Sequence, residues 1–243
     1  WACLQRFGDE LARLRPDRVR AVATATLREA RNRDEFVQRG SELLGVPIEV
    51  ISGIEEARLI FQGVVRMLPE SDERRLVVDI GGRSTELILG QRYVAHTLQS
   101  YGVGSVAWSQ RHFSDGAFTP QAFSEGEASA RAALAEVPQR YARAAWDVAY
   151  GASGTVGAVA DALTAAGWEK DIITPEGLHW LRQQVLLAGH VDRLQLTGVK
   201  DDRRSVIGGG LCVMQALFDL LHVSRMQAAD GALRQGVLYE NLI

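Results

Sequence analysis

The stretch "DIGGRSTE", Asp79 to Glu86, places two carboxylates, a tight Gly-Gly turn and two hydroxyls within one hairpin-like segment. Gly81 and Gly82 allow the backbone to approach a ligand closely and to turn N–H groups toward an anion. Ser84 and Thr85 add hydroxyl donors, and Asp79 and Glu86 offer hard oxygens for a magnesium ion or its waters. The plain alternative is a structural hairpin turn. No GxxxxGK[ST] pattern occurs and the loop returns into a strand, so this is not a Walker loop.

A second glycine-hydroxyl loop, "YGASGT", runs from Tyr150 to Thr155 between a strand-like and a helix-like segment. Gly151, Ser153, Gly154 and Thr155 would gather N–H groups and hydroxyls at a helix N-terminus, which is either an anion site or a capped turn. In "TATLREARN", Arg28 is expected in a first helical turn, where the macrodipole disfavours a cation unless an anion lies nearby. A solvated surface arginine is the alternative.

"SGIEEARL" holds adjacent glutamates at a helix start. Ser52 and Glu55 fit the capping box S-x-x-E, which gives Glu55 a backbone partner. Glu56 lies about 100° further round the helix and is free for chemistry as a general base, kept ionised by the dipole, or is a second solvated acid. Arg203, Arg204 and Arg234 lie in the last third of the chain, each either a phosphate ligand or a surface arginine. The five histidines fall in no acid–His–nucleophile pattern.

These residues need elements to hold them. Apolar spacing predicts helices over 2–14, 27–45 and 53–68, with strands over 17–26 and 47–52. Three β-rich runs between 76 and 100, separated by "GGRS" and "GQR", predict an antiparallel meander. Residues 119–147 read as Ala-rich helix. A strand, glycine loop and helix cover 147–167, and Thr174 with Pro175 opens another helix. Helices over 203–222 and 230–243, the second capped by Asp230, complete an α/β pattern.

The bulk numbers constrain the rest. The 243 residues are 47% apolar with a net charge of −3, so no electrostatic footprint marks nucleic acid or a membrane surface as partner. Two distant cysteines argue against a disulfide framework or zinc site, and a reducing cytoplasm is the expected compartment. No apolar run approaches the length of a membrane span.

"TATLREARN", "SGIEEARLIFQGV", "VVDIGGRSTEL", "YGASGT" and "DGALRQGVLYE" stand in the order seen in exopolyphosphatases and guanosine pentaphosphate phosphohydrolases, which the chain resembles over nearly its whole length. The resemblance implies an actin-like fold, shared with sugar kinases and heat-shock ATPases, with two lobes and a cleft between them. The first lobe would be residues 1–58 and the second 59–243. It implies magnesium-dependent hydrolysis of the terminal phosphoanhydride of polyphosphate or pppGpp. Glu56 would be the general base. Gly81, Gly82, Arg83, Ser84, Thr85, Gly151, Ser153, Gly154, Thr155, Arg28 and Arg204 would hold phosphate, and Asp79 and Glu86 the metal.

Two departures qualify that pattern. The family's third loop glycine is Arg83 here, whose guanidinium can itself engage phosphate. The family's first strand, with its own phosphate motif, is not found ahead of Trp1, so the first lobe is expected to be incomplete at its N-terminus. An exposed apolar edge there would favour a homodimer. These departures keep a second hypothesis open, a non-catalytic polyphosphate or nucleotide sensor of the same fold.

Overall fold

A computed structural model describes residues 1–15 and 18–240. Helix α1 (Ala2–Leu11) packs on α3 (Arg33–Leu44), and α2 (Ala25–Glu29) separates α3 from strand β1 (Ala21–Ala23). The expected single helix over 27–45 is broken at residues 30–32, and α2 has only five residues. Strand β2 (Ile48–Val50) lies parallel to β1, making a small two-stranded βαβ unit. The first residue of the expected strand over 17–26 lies outside the described residues.

The larger sheet has six strands in the order β5-β4-β3-β6-β8-β7. They are β3 (Arg74–Ile80), β4 (Thr85–Gln91), β5 (Val94–Tyr101), β6 (Val148–Ala152), β7 (Ile172–Ile173) and β8 (Met226–Ala228). The meander β3-β4-β5 is antiparallel as expected, whereas β3, β6 and β8 run parallel. Successive side chains of a strand face opposite sides. Accordingly Leu76, Val78 and Ile80 enter the large core, and Val77 enters a second core on the other face. By the same alternation Asp79 shares the face of Val77, and Glu86 that of Ile88.

The large core is covered by α5 (Ser105–His112), α6 (Pro120–Ala133), α7 (Val137–Arg140), α8 (Ser153–Ala165), α9 (Pro175–Ala188) and α11 (Ile207–Leu221). Short α10 (Asp201–Arg204) precedes α11, so the expected helix over 203–222 is two pieces. As the sequence indicates, Thr174 caps α9 with Pro175 at its first turn.

On the opposite face α4 (Gly53–Val65) packs against β4, β5 and α12 (Leu233–Glu240). The border expected at residue 58 falls inside α4, which is one continuous helix along the large sheet. Asp230 does not start α12. The helix begins three residues later, and the Ala232 N–H instead donates to Gln235 Oε1 at 3.1 Å. Residues 241–243 of the expected last helix lie outside the described residues. Close approach of α4 and α12 needs Gly236, because a Cβ there would strike the Leu59 carbonyl. Among the described residues no helix is long and apolar enough to cross a membrane.

Candidate active site

The site forms where the N-terminus of α4 meets the open end of the β3-β4 hairpin. Asp79 and Glu86 are directly opposed in register, and both are buried. Desolvation pushes the Asp79 carboxyl up to about 7, with the Glu56 charge adding to it. Desolvation likewise lifts Glu86 to about 8, reinforced by Glu56 and Asp79 and opposed by hydrogen bonds from Ser100 and Ser84. Neither acid forms an ion pair among the described residues.

Glu56 completes a three-carboxylate cluster. It is buried at the first turn of α4, and Arg28 Nη1 donates to its Oε2 at 2.7 Å. The same nitrogen donates to the Ile51 carbonyl at 3.0 Å, which fixes the guanidinium. The dipole was expected to hold Glu56 ionised, but burial dominates and raises its pKa, with Arg28 and Thr24 pulling the other way. A glutamate tuned upward in this way suits a general base working near neutral pH.

Glu55 divides from Glu56 as the capping pattern suggested, with one change. Ser52 Oγ accepts from the Glu55 N–H at 3.1 Å, so the cap exists. The Glu55 carboxylate goes instead to Arg58, with two contacts of 2.8 Å. Glu240 of α12 joins the same network through Arg58 and Arg20.

Gly53 sets the approach of α4 to the sheet. A Cβ at that position would collide with the Ser100 side chain, so only glycine lets the helix start sit this close to β5. Ser100 lies opposite Glu86 and its hydroxyl donates to Glu86 Oε1 at 2.7 Å. Sequence reasoning missed Ser100, although the position directly across a meander from Glu86 was a readable signal.

The hairpin turn is oriented by α5. The Gly81 carbonyl accepts from Ser105 N, and the Gly82 carbonyl from Val106 N and Ala107 N, at 2.9–3.0 Å. With the carbonyls taken on that side, the N–H groups of Gly82, Arg83 and Ser84 have no partner among the described residues. They are the free donors of the loop. Thr85 differs from expectation, because it faces the large core and its hydroxyl donates to the Val103 carbonyl at 2.6 Å. Strand alternation removes it from the side that Glu86 occupies. Arg83 binds Glu29 of α2 at 2.6 Å and so ties the hairpin to the small sheet's unit. Arg28, Ser84, Ser100 and Gly102 line a hollow of about 340 Å³ over the hairpin.

The second glycine loop lies one strand along. Ser153 has φ +90°, a left-handed conformation that costs a serine energy, and its hydroxyl donates to the Ile80 carbonyl at 2.8 Å. It thereby fastens the start of α8 to the end of β3. Thr155 is buried, and its N–H donates to Ser153 Oγ at 3.3 Å. Gly151 is not in the loop but within β6, where a Cβ would strike Val156 and Met226. Gly154 is exposed beneath the guanidinium of Arg203, not Arg204. Arg204 pairs with Asp201 at 2.8 Å within α10. Arg28 stands in the last turn of its short helix, so Glu56 rather than a helix dipole explains it.

No three His, Cys, Asp or Glu residues among those described surround one point as a closed metal cage would. The adjacent carboxylates of Asp79 and Glu86 fit a different ion. Magnesium is commonly held by one or two carboxylates, with waters and phosphate oxygens completing its shell.

Comparison with known proteins identifies the family. Residues 1–243 match the model of the Ppx/GppA phosphatase family, and the chain belongs to that family. It is 41% identical over 240 residues to a guanosine-5'-triphosphate,3'-diphosphate pyrophosphatase of Vibrio vulnificus (strain YJ016), covering 99% of this chain and 48% of that protein. A protein of the same name from Vibrio cholerae serotype O1 is 40% identical, with the same coverage. The chain thus spans about half the length of the curated relatives it matches. An exopolyphosphatase structure from Cytophaga hutchinsonii superposes with a TM-score of 0.84 at 24% identity, over 99% of this chain and 80% of that one. The Aquifex aeolicus Ppx/GppA phosphatase gives 0.75 at 24% identity, over 100% of this chain and 81% of that one. The α/β fold is therefore the fold of this family's solved members.

Proposed function

We propose that the protein is a phosphohydrolase that removes the terminal phosphate of pppGpp, and of inorganic polyphosphate as a second substrate, by attack of water. The observation that carries this reading is Glu56. It is a buried carboxylate held at 2.7 Å by Arg28, beside two further acids and a hairpin with three free N–H groups. In this reading Glu56 takes the proton of the attacking water. The N–H groups of Gly82, Arg83 and Ser84 hold terminal phosphate oxygens, and Arg28 steadies both Glu56 and the phosphate that enters the hollow. The loop at Ser153 and Gly154, with Arg203 above it, holds the next phosphate along. Asp79 and Glu86 would hold magnesium, which when bound neutralises phosphate charge in the transition state. Positioning and preorganised charge supply most of the acceleration.

The test is phosphate release from pppGpp, polyphosphate and ATP in parallel, with magnesium, on the full-length protein. Release from pppGpp and polyphosphate without transfer to an acceptor is the expected result. Tight binding without release would instead show a sensor, and phosphate transfer to an acceptor a kinase. The cytoplasm, where pppGpp would be met, is the compartment that this activity requires.

A further inference from the structure

A phosphate entering the hollow over the hairpin meets two arginines, and both are already paired. Arg28 and Glu29 are consecutive residues at the end of α2, and they reach across to the large sheet's side with opposite signs. Arg28 holds Glu56 at the start of α4, and Glu29 holds Arg83 in the hairpin turn. Arg28 and Glu29 are the charged residues of the hollow's lining, and Arg83 adjoins it through its neighbour Ser84. Cation and carboxylate thus match one to one around the opening.

A phosphate gains a full guanidinium there only by drawing one arginine from its carboxylate. The two pairs differ in what resists that exchange. In the Arg28–Glu56 pair the side chains are 23% and 9% exposed, and Arg28 Nη1 also donates to the Ile51 carbonyl. Breaking it would strand a buried carboxylate, which is costly. In the Arg83–Glu29 pair the side chains are 39% and 48% exposed. Arg83 Nε and Nη2 both donate to one oxygen, Oε2, at 2.8 and 2.6 Å, and neither side chain has another partner among the described residues. Water resolvates Glu29 on release, and an exposed pair of this kind holds by about fivefold at most. Two phosphate oxygens match the planar guanidinium fork better than a single carboxylate oxygen does.

From these pairings we infer that Glu29 is a displaceable counter-ion. The Arg83 side chain becomes a ligand of the terminal phosphate when that phosphate takes the place of Glu29. Until then the pair masks the one cation of the hairpin turn. The inference rests on the phosphohydrolase reading of this site. It adds Glu29 as the residue that sets how strongly an anion must bind to claim Arg83.

Binding of a methylene-bridged analogue of inorganic tripolyphosphate to the full-length protein, with magnesium, tests it. The analogue is not hydrolysed, so the Arg28–Glu56 pair is left as it is. Glu29→Gln should tighten binding about three- to fivefold, the worth of the exposed pair it removes. Arg83→Leu should weaken binding only about twofold while Glu29 is present, because the lost phosphate contact is offset by a pair that no longer has to break. With Glu29→Gln already made, the same change should cost about tenfold, the scale of one charge-assisted hydrogen bond. Both side chains are partly exposed, so folding is not at stake. If Glu29→Gln weakens binding as Arg83→Leu does, the pair is a structural strap and the inference falls. It falls equally if the two changes combine additively, or if the analogue binds none of the four proteins. Phosphate release by the unaltered protein is scored separately. Its absence would defeat the hydrolase reading, while the four binding constants still decide the role of Glu29.

Discussion

Glu55 and Glu56 are chemically identical neighbours separated by one helical step. One is half-exposed and paired with Arg58, which holds its carboxyl below the usual range. The other is buried, and desolvation outweighs its arginine partner. The capping pattern made that division legible, because it assigned Glu55 to the helix end. Its burial was not legible, since it depends on Gly53 letting the helix start close over β5. Ser100 belongs to this scale too. Removing its hydroxyl by Ser100→Ala leaves Glu86 without its shortest donor, at a cost of about 1 kcal/mol in stability. A magnesium titration of phosphate release should show a higher half-saturating concentration for this variant, and an unchanged one would separate Ser100 from the proposed metal site.

At the scale of elements, the proposed reaction centre is assembled by three close approaches, of α4 on β5, of α5 on the hairpin, and of α8 on the end of β3. The antiparallel meander and the strand–loop–helix of "YGASGT" were readable from period and glycine spacing. The fates of Thr85 and Gly151 were not read correctly, since a motif read as a string ignores which face of a strand each residue takes. Alternation along β4 would have separated Thr85 from Glu86. Gly151 is explained by Val156 and Met226, contacts between segments remote in sequence that no local pattern contains. Gly53→Ala tests this level. Forcing the start of α4 away from Ser100 should cost about 1–3 kcal/mol of overpacking and lower kcat at least tenfold, because Glu56 moves with the helix. Denaturant midpoints and single-turnover rates would check both parts. A stable variant with undiminished rate would mean that this contact does not position Glu56.

For the molecule as a whole, an uncompensated group of buried acids links pH, cation and stability. Asp79 and Glu86 have folded pKa values raised to about 7 and about 8, above the roughly 4 of an unfolded carboxyl. The folded state therefore binds more protons than the unfolded state between those limits, and stability falls as pH rises from about 4 to about 8. In chelator the melting temperature should drop over this window. Magnesium should restore it most at the alkaline end, where the acids are ionised. A flat profile, or equal magnesium stabilisation at pH 5 and pH 8, would contradict the metal assignment. This behaviour was outside sequence reasoning, which placed the two acids near a loop but had no measure of how deeply the sheet buries them. At the same scale, Glu240 joins α12 to Arg20 and Arg58 and so binds the small βαβ unit to α4. The border expected at residue 58 divides a helix that the fold uses as one piece.

In the proposed mechanism one of two adjacent glutamates, Glu56, activates water. Phosphate release from pppGpp by Glu56→Gln and Glu55→Gln, each at saturating substrate and magnesium, tests it most directly. Loss of a general base should lower the Glu56→Gln rate by about 10²–10⁴-fold with the melting temperature near that of the parent. Glu55→Gln should keep most of its rate and lose 1 kcal/mol or less, as expected for a partly exposed ion pair of about that worth. Equal loss of activity in the two variants, or a Glu56→Gln protein that still releases phosphate at the parent rate, would contradict the account.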